Sequence, residues 1–249
     1  MHPLPDLTLA MESLRRAAAL LPDLPRWVEA RGYLAAAGCE VRGLRWDPAL
    51  AVVLRDPDLD LLIVVGAADG DAIHASTAAC GPGAELVCAP EDVDGVARAL
   101  PGWHRTRAIL HVLADASRLP VPAPGQVRLL EPDEIGALRV PEALRRELRA
   151  AAESSPIAAT VVDGEAVSFC YAGSVTETLW DISIDTVPAH RQKGYAGLCV
   201  AFMVRHMEAR GKRPVWGAAE DNPASWRLAR KLGFEPVDEL ALFRAPGSP

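Results

Sequence analysis

Lysine is nearly missing from this chain. Only Lys193, Lys212 and Lys231 occur among 26 basic residues, and these are outnumbered by 33 Asp and Glu, for a formal net charge of −7. Such a balance lacks the cationic surplus that phosphate-driven nucleic-acid binding draws on, so no nucleic-acid partner is expected. Long apolar runs are absent as well. The longest, at residues 61–68 and 198–204, fall far short of the ~18–20 residues that cross a bilayer. The amino-terminal stretch MHPLPDLTLAMESLRR carries prolines and acids where a secretory signal has a basic region followed by an apolar core. No membrane partner is expected, and the reading is a soluble cytoplasmic protein. Cysteine is sparse: Cys39, Cys80, Cys88, Cys170 and Cys199 form an odd, widely spaced set with no Cys-x-x-Cys pair, which reads as reduced, mostly buried thiols. His74, His104, His111 and His206 show no ligand spacing, and no metal is expected.

What is present is a globular composition: 249 residues, half of them apolar and a quarter charged, long enough for one or two domains. The clearest break is ADASRLPVPAPG, between positions 114 and 125, with three prolines, a glycine and no periodicity. It divides the chain into residues 1–115, a linker at 116–125, and residues 126–249. In the first part, 7–21 and 25–37 read as helices, 51–54 and 61–65 as buried strands, 91–100 as a helix and 108–113 as a strand. The acidic stretch 55–60 reads as a solvated turn. In the second part, 126–130 reads as a strand and 131–153 as two helical stretches. The runs 157–162 and 166–172 form a hairpin across Asp163-Gly164. There follow a strand at 178–187, a helix at 193–210, a strand at 214–218, a helix at 223–232 and a strand at 239–243. Both parts are α/β in pattern, and their element content is similar.

The informative segment is Asp181-Ile-Ser-Ile-Asp-Thr-Val-Pro-Ala-His-Arg-Gln-Lys-Gly-Tyr-Ala196, a strand entering a helix through a tight loop. Gly194 frees the backbone to turn, and the helix that begins beside it offers unpaired N–H groups and the positive end of its dipole. Such an end accepts anions, and Arg191 and Lys193 add full charges suited to a diphosphate. Gly194-Tyr-Ala-Gly197 has neither the G-x-G-x-x-G spacing of a dinucleotide fold nor the G-K-[ST] ending of a P-loop. A second segment follows in order: Trp216 on a strand, Asn222 at a helix start, then Lys231-Leu-Gly-Phe234.

Together, Arg191-Gln-Lys-Gly-Tyr-Ala196 and Asn222 with Lys231-Leu-Gly-Phe234 resemble the GCN5-related N-acetyltransferase (GNAT) superfamily over residues 126–244. The wording Ile-Asp-Thr-Val-Pro-Ala-His-Arg, with Trp216 on the next strand, resembles bacterial two-part members whose amino-terminal half is a divergent copy of the same fold. The resemblance implies a mixed α+β (layered α/β) architecture. The GNAT fold would occupy the carboxy-terminal half, with a mixed central sheet flanked by helices, next to a smaller divergent α/β domain. It implies acetyl-CoA as co-substrate. The backbone of Ile184, Asp185 and Thr186 would pair with the pantetheine arm, and Arg191, Gln192, Lys193, Gly194, Tyr195, Ala196 and Gly197 would hold the diphosphate. Asn222 would reach the pantetheine arm or serve as a helix N-cap.

The implied reaction moves an acetyl group to a primary amine of a small molecule. An amine with a lysine-like pKa of ~10.4 is only about one part in a thousand neutral at pH 7, so a proton acceptor is useful. Strand alternation sets Trp180, Ile182 and Ile184 on one face and Leu179, Asp181, Ser183 and Asp185 on the other. Asp181 matches the superfamily's acidic-base position, with Glu177 as second candidate; the alternative is an exposed strand carboxylate. The superfamily's proton-donating tyrosine falls on Ala229 here, which leaves Ser225, Tyr171 or water to assist the leaving thiolate. A strand N–H near Thr186 or Val187 would meet the oxyanion. Transfer of a longer acyl chain and a non-catalytic acyl-CoA-binding regulatory module are the competing readings. The amino-terminal half is expected to form part of the acceptor side or the subunit contact of a homodimer. His190 is expected to border the diphosphate loop, and residues 142–153, with interleaved Arg and Glu, to present a salt-bridged solvent face.

Overall fold

The computed structural model describes residues 7–36, 38–56 and 60–247, so residues 57–59 of the turn expected at 55–60 lie outside the described residues, while Arg55 and Asp56 end a strand and Arg55 is buried rather than solvated. Two compact units emerge. The first draws on Met1–Leu110, Ala219–Asp221 and Asp238–Pro249, the second on His111–Ala218 and Asn222–Val237.

In chain order the first part contains α1 (Leu7–Leu20), a 3-10 turn leading into α2 (Val28–Ala35), β1 (Glu40–Arg45), β2 (Ala51–Asp56), β3 (Leu61–Val65), α3 (Gly70–Thr77), β4 (Glu85–Cys88), α4 (Val93–Ala99) and β5 (His104–Leu113). There follow β6 (Val127–Leu129), a 3-10 stretch (Pro132–Ala137), α5 (Glu142–Ala152), β7 (Ala158–Val162), β8 (Glu165–Val175), β9 (Leu179–Thr186), α6 (Tyr195–Glu208), β10 (Arg213–Ala219), α7 (Pro223–Lys231) and β11 (Phe234–Arg244).

The strands of the first unit run in the order β1-β2-β3-β4-β11-β5. The pair β3/β4 is parallel, and β1/β2, β2/β3 and β4/β11 are antiparallel. β2 and β3 are nearly continuous apolar runs because both faces are covered. On one face Val52, Leu54, Ile63 and Val65 pack with Ala17, Ala30 and Leu34 of α1 and α2. On the other, Val53, Leu62 and Val64 pack with Ile73 of α3 and Val96 of α4.

The second unit repeats that plan with strand order β6-β7-β8-β9-β10, antiparallel except for the parallel pair β9/β10. Positive φ at both Asp163 (51°) and Gly164 (82°) closes the β7/β8 hairpin as the Asp-Gly pair predicts. Trp180 and Ile182 face a core shared with Cys199, Val200 and Met203 of α6 and Ala229 of α7. Phe169 and Tyr171 face a second core with Leu148 of α5 and Ile135. Each unit is therefore a mixed sheet with helices on both faces. No disulfide forms among the five cysteines: Cys88, Cys170 and Cys199 are buried, and Cys39 and Cys80 half-buried. Among the described residues no helix is long and apolar enough to cross a membrane.

The proline-rich segment after β5 is tied down in the second unit. Ala114 and Asp115 N–H both donate to Gly233 O, Leu119 is buried, and the Arg205 guanidinium donates to the carbonyls of Leu119 and Pro120. Gly233, of the Leu-Gly-Phe motif, has φ +91° and lies against this backbone; a Cβ there would meet Asp115 O at 2.2 Å. No other residue type fits that position.

Candidate active site

The two parallel strand pairs differ in one respect that matters for chemistry. In the first unit β3 and β4 stay in register over all of β4, from Leu61/Glu85 to Val64/Cys88. In the second, β9 and β10 pair at Leu179/Arg213, Trp180/Pro214 and Asp181/Val215 and then part, although β9 continues to Thr186 and β10 to Ala219. Beyond Asp181 the two strands leave an opening with backbone groups on its edge.

Which groups face it follows from the β8/β9 ladder. Val187 N–H donates to Val167 O at 2.9 Å, in register with the pair Thr186/Ser168. Alternation then turns the amides of Ser183, Asp185 and Val187 toward β8, and those of Ile182, Ile184 and Thr186 toward the opening. The Val187 amide, expected at the oxyanion, is occupied by this bond. Asp185 likewise directs its carbonyl to β8, where Ser168 Oγ donates to it at 3.0 Å. Ile184 and Thr186 are the two of the expected three whose backbone lines the opening, and Arg191 Nε already donates to Thr186 O at 3.1 Å.

At the same end of β9 lies the loop. Gln192 (φ 61°) and Gly194 (φ 86°) are both left-handed and bracket Lys193. Alternation of this kind makes a concave nest of N–H groups. Gly194 is the N-cap of α6, and the first intrahelical bond runs from Leu198 N–H to Gly194 O. The amides of Tyr195, Ala196 and Gly197 precede that ladder and point out of the helix start. A Cβ on Gly194 would touch nothing within 4 Å, so the approach is open and the demand for glycine comes from φ. Gly197 faces the other way; a Cβ there would lie 3.4 Å from Leu232 Cδ2, so its role is to let α6 approach α7. Lys193 Nζ donates to Ala189 O at 3.0 Å, and the His190 and Tyr195 rings lie 6.1 Å apart beside the loop. Thr160 Oγ1 donates to Tyr195 O and fixes the helix start to β7.

Asn222 caps α7: its Oδ1 accepts from Ser225 N–H at 3.2 Å, and Pro223 holds the first helical position. This bond leaves the side-chain NH2 of Asn222 for another acceptor. Trp216 Nε1 donates to Ser225 Oγ at 2.9 Å, and Trp216 packs edge-on to Phe234. Ala229 is wholly buried in the core below.

On the opposite face lie the carboxylates. Asp181 sits at the last paired rung, and a Cβ on the exposed Gly173 of β8 would come within 3.1 Å of both Asp181 Oδ2 and Ser183 Oγ. Gly173 lies in an irregularity of β8, between the pairs Ala172/Ile182 and Val175/Trp180, and such bulges re-aim side chains beside active sites. Glu177 is not part of this group. It occupies the turn before β9, at the closed end of the strand pair, where its carbonyl accepts from Lys212 Nζ.

One participant was not legible in advance. Glu147, expected on a solvent face of α5, accepts a hydrogen bond from the Tyr171 hydroxyl. Its charge, after burial, helps push Asp185 up to about 6, against the opposing pull of Arg191. Burial and Glu147 also raise the Tyr171 phenol well above its ordinary range, so it stays protonated and directed at Glu147. That removes Tyr171 as a ready proton donor to a thiolate. Burial raises Cys199 to about 12, and Cys170 is raised for the same cause, so neither is a nucleophile at neutral pH.

Comparison with known proteins bears on the fold. Residues 158–243 match the family model described as GNAT acetyltransferase. A GCN5-related N-acetyltransferase-like protein from Streptococcus suis superposes with a TM-score of 0.69 at 18% identity, over 94% of this chain and 100% of that one. A tandem GNAT protein from the clavulanic acid biosynthesis pathway gives 0.56 at 17% identity, over 96% and 95%. A GCN5-related N-acetyltransferase from Kribbella flavida gives 0.56 at 15% identity, over 94% and 96%. A search of curated proteins gave no match. The chain thus shares the fold of GNAT proteins over nearly its whole length, and the match to the acetyltransferase family model covers residues 158–243.

Proposed function

We propose that the protein is an acyl-CoA-dependent N-acyltransferase that moves an acetyl group from acetyl-CoA to a primary amine of a small molecule. The observation that carries this reading is the parting of β9 and β10 after Asp181/Val215, at whose far end stands the Gln192–Gly194 nest. An extended arm with amide groups fits the exposed backbone of Ile182, Ile184 and Thr186 as an added strand. Its diphosphate fits the nest and the start of α6, with Arg191 and Lys193 as neighbouring charges.

The thioester would then lie near the last rung, between two faces with different equipment. On the Gly173 side, the Asp181 carboxylate takes a proton from the ammonium, directly or through water, and the freed nitrogen attacks the thioester carbon. The oxyanion meets a β9 amide that faces the opening, that of Ile182 or Ile184. Collapse breaks the C–S bond, and the thiolate leaves with the electron pair. A thiol with a cysteine-like pKa of ~8.5 is already a tolerable leaving group. On the α7 side, Ser225 Oγ accepts from Trp216 Nε1 and so keeps its own proton to offer the sulfur, while the nitrogen loses its remaining extra proton to water and the serine regains one from water. Ala229 cannot supply one. The products are the acetamide and free CoA.

The test is thiol release from acetyl-CoA with a panel of primary amines. Saturable turnover that depends on the amine supports transfer. Saturable acetyl-CoA binding without turnover on any amine supports the binding-module reading, which the buried Ala229 favours.

A further inference from the structure

The second unit holds a cavity of about 360 Å³ on the α5 side of its sheet, at the lower end of the ~300–1,000 Å³ typical of small-molecule pockets. Its floor is apolar, with Leu130, Ile135 and Ile157 all buried in the core under α5. Ala152 and Ser154, at the carboxy-terminal end of α5, stand at its side, and Ser154 is exposed. None of its lining residues carries a charge.

The cavity is joined to the reacting end of β9 by a short run of contacts. Ser155 lines it and is buried, and its Oγ accepts from Ala172 N–H at 2.9 Å. The next residue is Gly173, whose missing side chain leaves the space beside Asp181 Oδ2 and Ser183 Oγ. An amine whose nitrogen meets Asp181 would extend its body past Gly173 toward the Ser155 wall.

We infer that this cavity receives the apolar body of the acceptor, so that the substrate class is a primary amine bearing an aryl or hydrocarbon group, with no second charge. The inference rests on the transfer reading above and deepens it. An uncharged lining offers no ion pair to a second ammonium or to a carboxylate, and burying a charge without one is costly. Amino acids and polyamines are therefore poor acceptors, and Gly173 is the gap over which the amine crosses.

Phenethylamine, ethylamine and putrescine are compared as acceptors with acetyl-CoA, and binding of phenethylamine is read separately by NMR line broadening. The expected result is a kcat/KM for phenethylamine at least about tenfold above that for ethylamine, in line with the discrimination an apolar pocket gives per group. Putrescine is expected below both. Ala152→Phe, which fills the cavity, should lower the phenethylamine-to-ethylamine ratio at least about tenfold and abolish the line broadening. Ser154→Trp, at the exposed rim, repeats the test if the first variant does not fold. Equal kcat/KM for the two amines, or a ratio unmoved by both variants, overturns the inference while turnover itself leaves the transfer reading standing. A ratio that instead follows acyl length, with octanoyl-CoA against acetyl-CoA, assigns the cavity to the acyl chain and overturns it too. Line broadening lost in Ala152→Phe, with no turnover on any amine, sinks the transfer reading and keeps the pocket.

Discussion

Asp181 is paired with Val215, and theirs is the last rung of the β9–β10 ladder before the strands part. The carboxylate nearest the thioester in the proposed pose therefore belongs to the residue at which the opening begins. Replacing Asp181 with Asn preserves size and hydrogen bonding and removes the proton acceptor. Turnover is expected to fall by about 10²–10⁴, with the KM for acetyl-CoA changed less than about twofold, because only the chemical step loses a group. The residual rate should rise about tenfold per pH unit below the amine pKa, since it then follows the neutral fraction of the amine. A pH–rate profile parallel to that of the wild type removes Asp181 from the mechanism.

Gly194 has φ +86° and open space around its Cβ position. Valine there meets no steric neighbour but opposes the left-handed backbone, at a cost of about 1–3 kcal/mol. Gly194→Val is expected to weaken acetyl-CoA binding at least about tenfold, whereas Gly194→Asn, which tolerates that conformation, should weaken it far less. Calorimetry should also return one binding event per chain, because β3 and β4 of the first unit remain paired over all of β4. A second event that survives Gly194→Val contradicts this.

Ser225→Ala leaves the indole N–H of Trp216 without its acceptor at a residue only 1% exposed. A loss of about 1–3 kcal/mol in stability is expected, together with a several-fold fall in kcat if the hydroxyl serves the departing sulfur. Ser225→Thr retains the hydroxyl and should recover both. Recovery of stability alone assigns Ser225 a structural part only.

Asp185 gives a pH signature. Its ordinary pKa is 3.8 and burial raises it to about 6. Between those values the folded state holds more protons than the unfolded one, so stability falls as pH rises from about 4 to about 6. Asp185→Asn removes that loss. The variant is expected to be more stable than the wild type by about 1–3 kcal/mol at pH 7.5 and equal to it at pH 4. Denaturant titrations at both pH values check the sign.

The second unit was legible because its signals are strong: an Asp-Gly turn between β-branched runs, strict alternation along β9, and Asn-Pro at the start of α7. The elements absent from the sequence reading are β1, α3 and β4, and each has a physical reason. β1, EVRGLR, is half-exposed along its length with a glycine inside; α3, GDAIHAST, buries only Ile73 and Ser76; β4 has four residues. None presents a run long enough to set a period. In the candidate site, the turn at Gly194 and the helix start beside it were readable because glycine is a local signal. Glu147 was not, since its contact with Tyr171 joins positions 24 apart and nothing in the spacing of α5 marks it. The faces of β9 were right, while the direction of each amide depended on β8 and could not be read from β9 alone.

β11 begins in one unit and ends in the other: Phe234 belongs with Trp216, whereas Ala241 to Arg244 run antiparallel to β4, with Leu240, Leu242 and Phe243 in the cores of the first unit. A piece ending at residue 115 is therefore short of the strand that borders β4, and the complementary piece carries that strand without its bed. Cut once and expressed separately, the halves should each misbehave, yet co-expression of the two pieces should restore them, as a split protein reassembled through its own final strand.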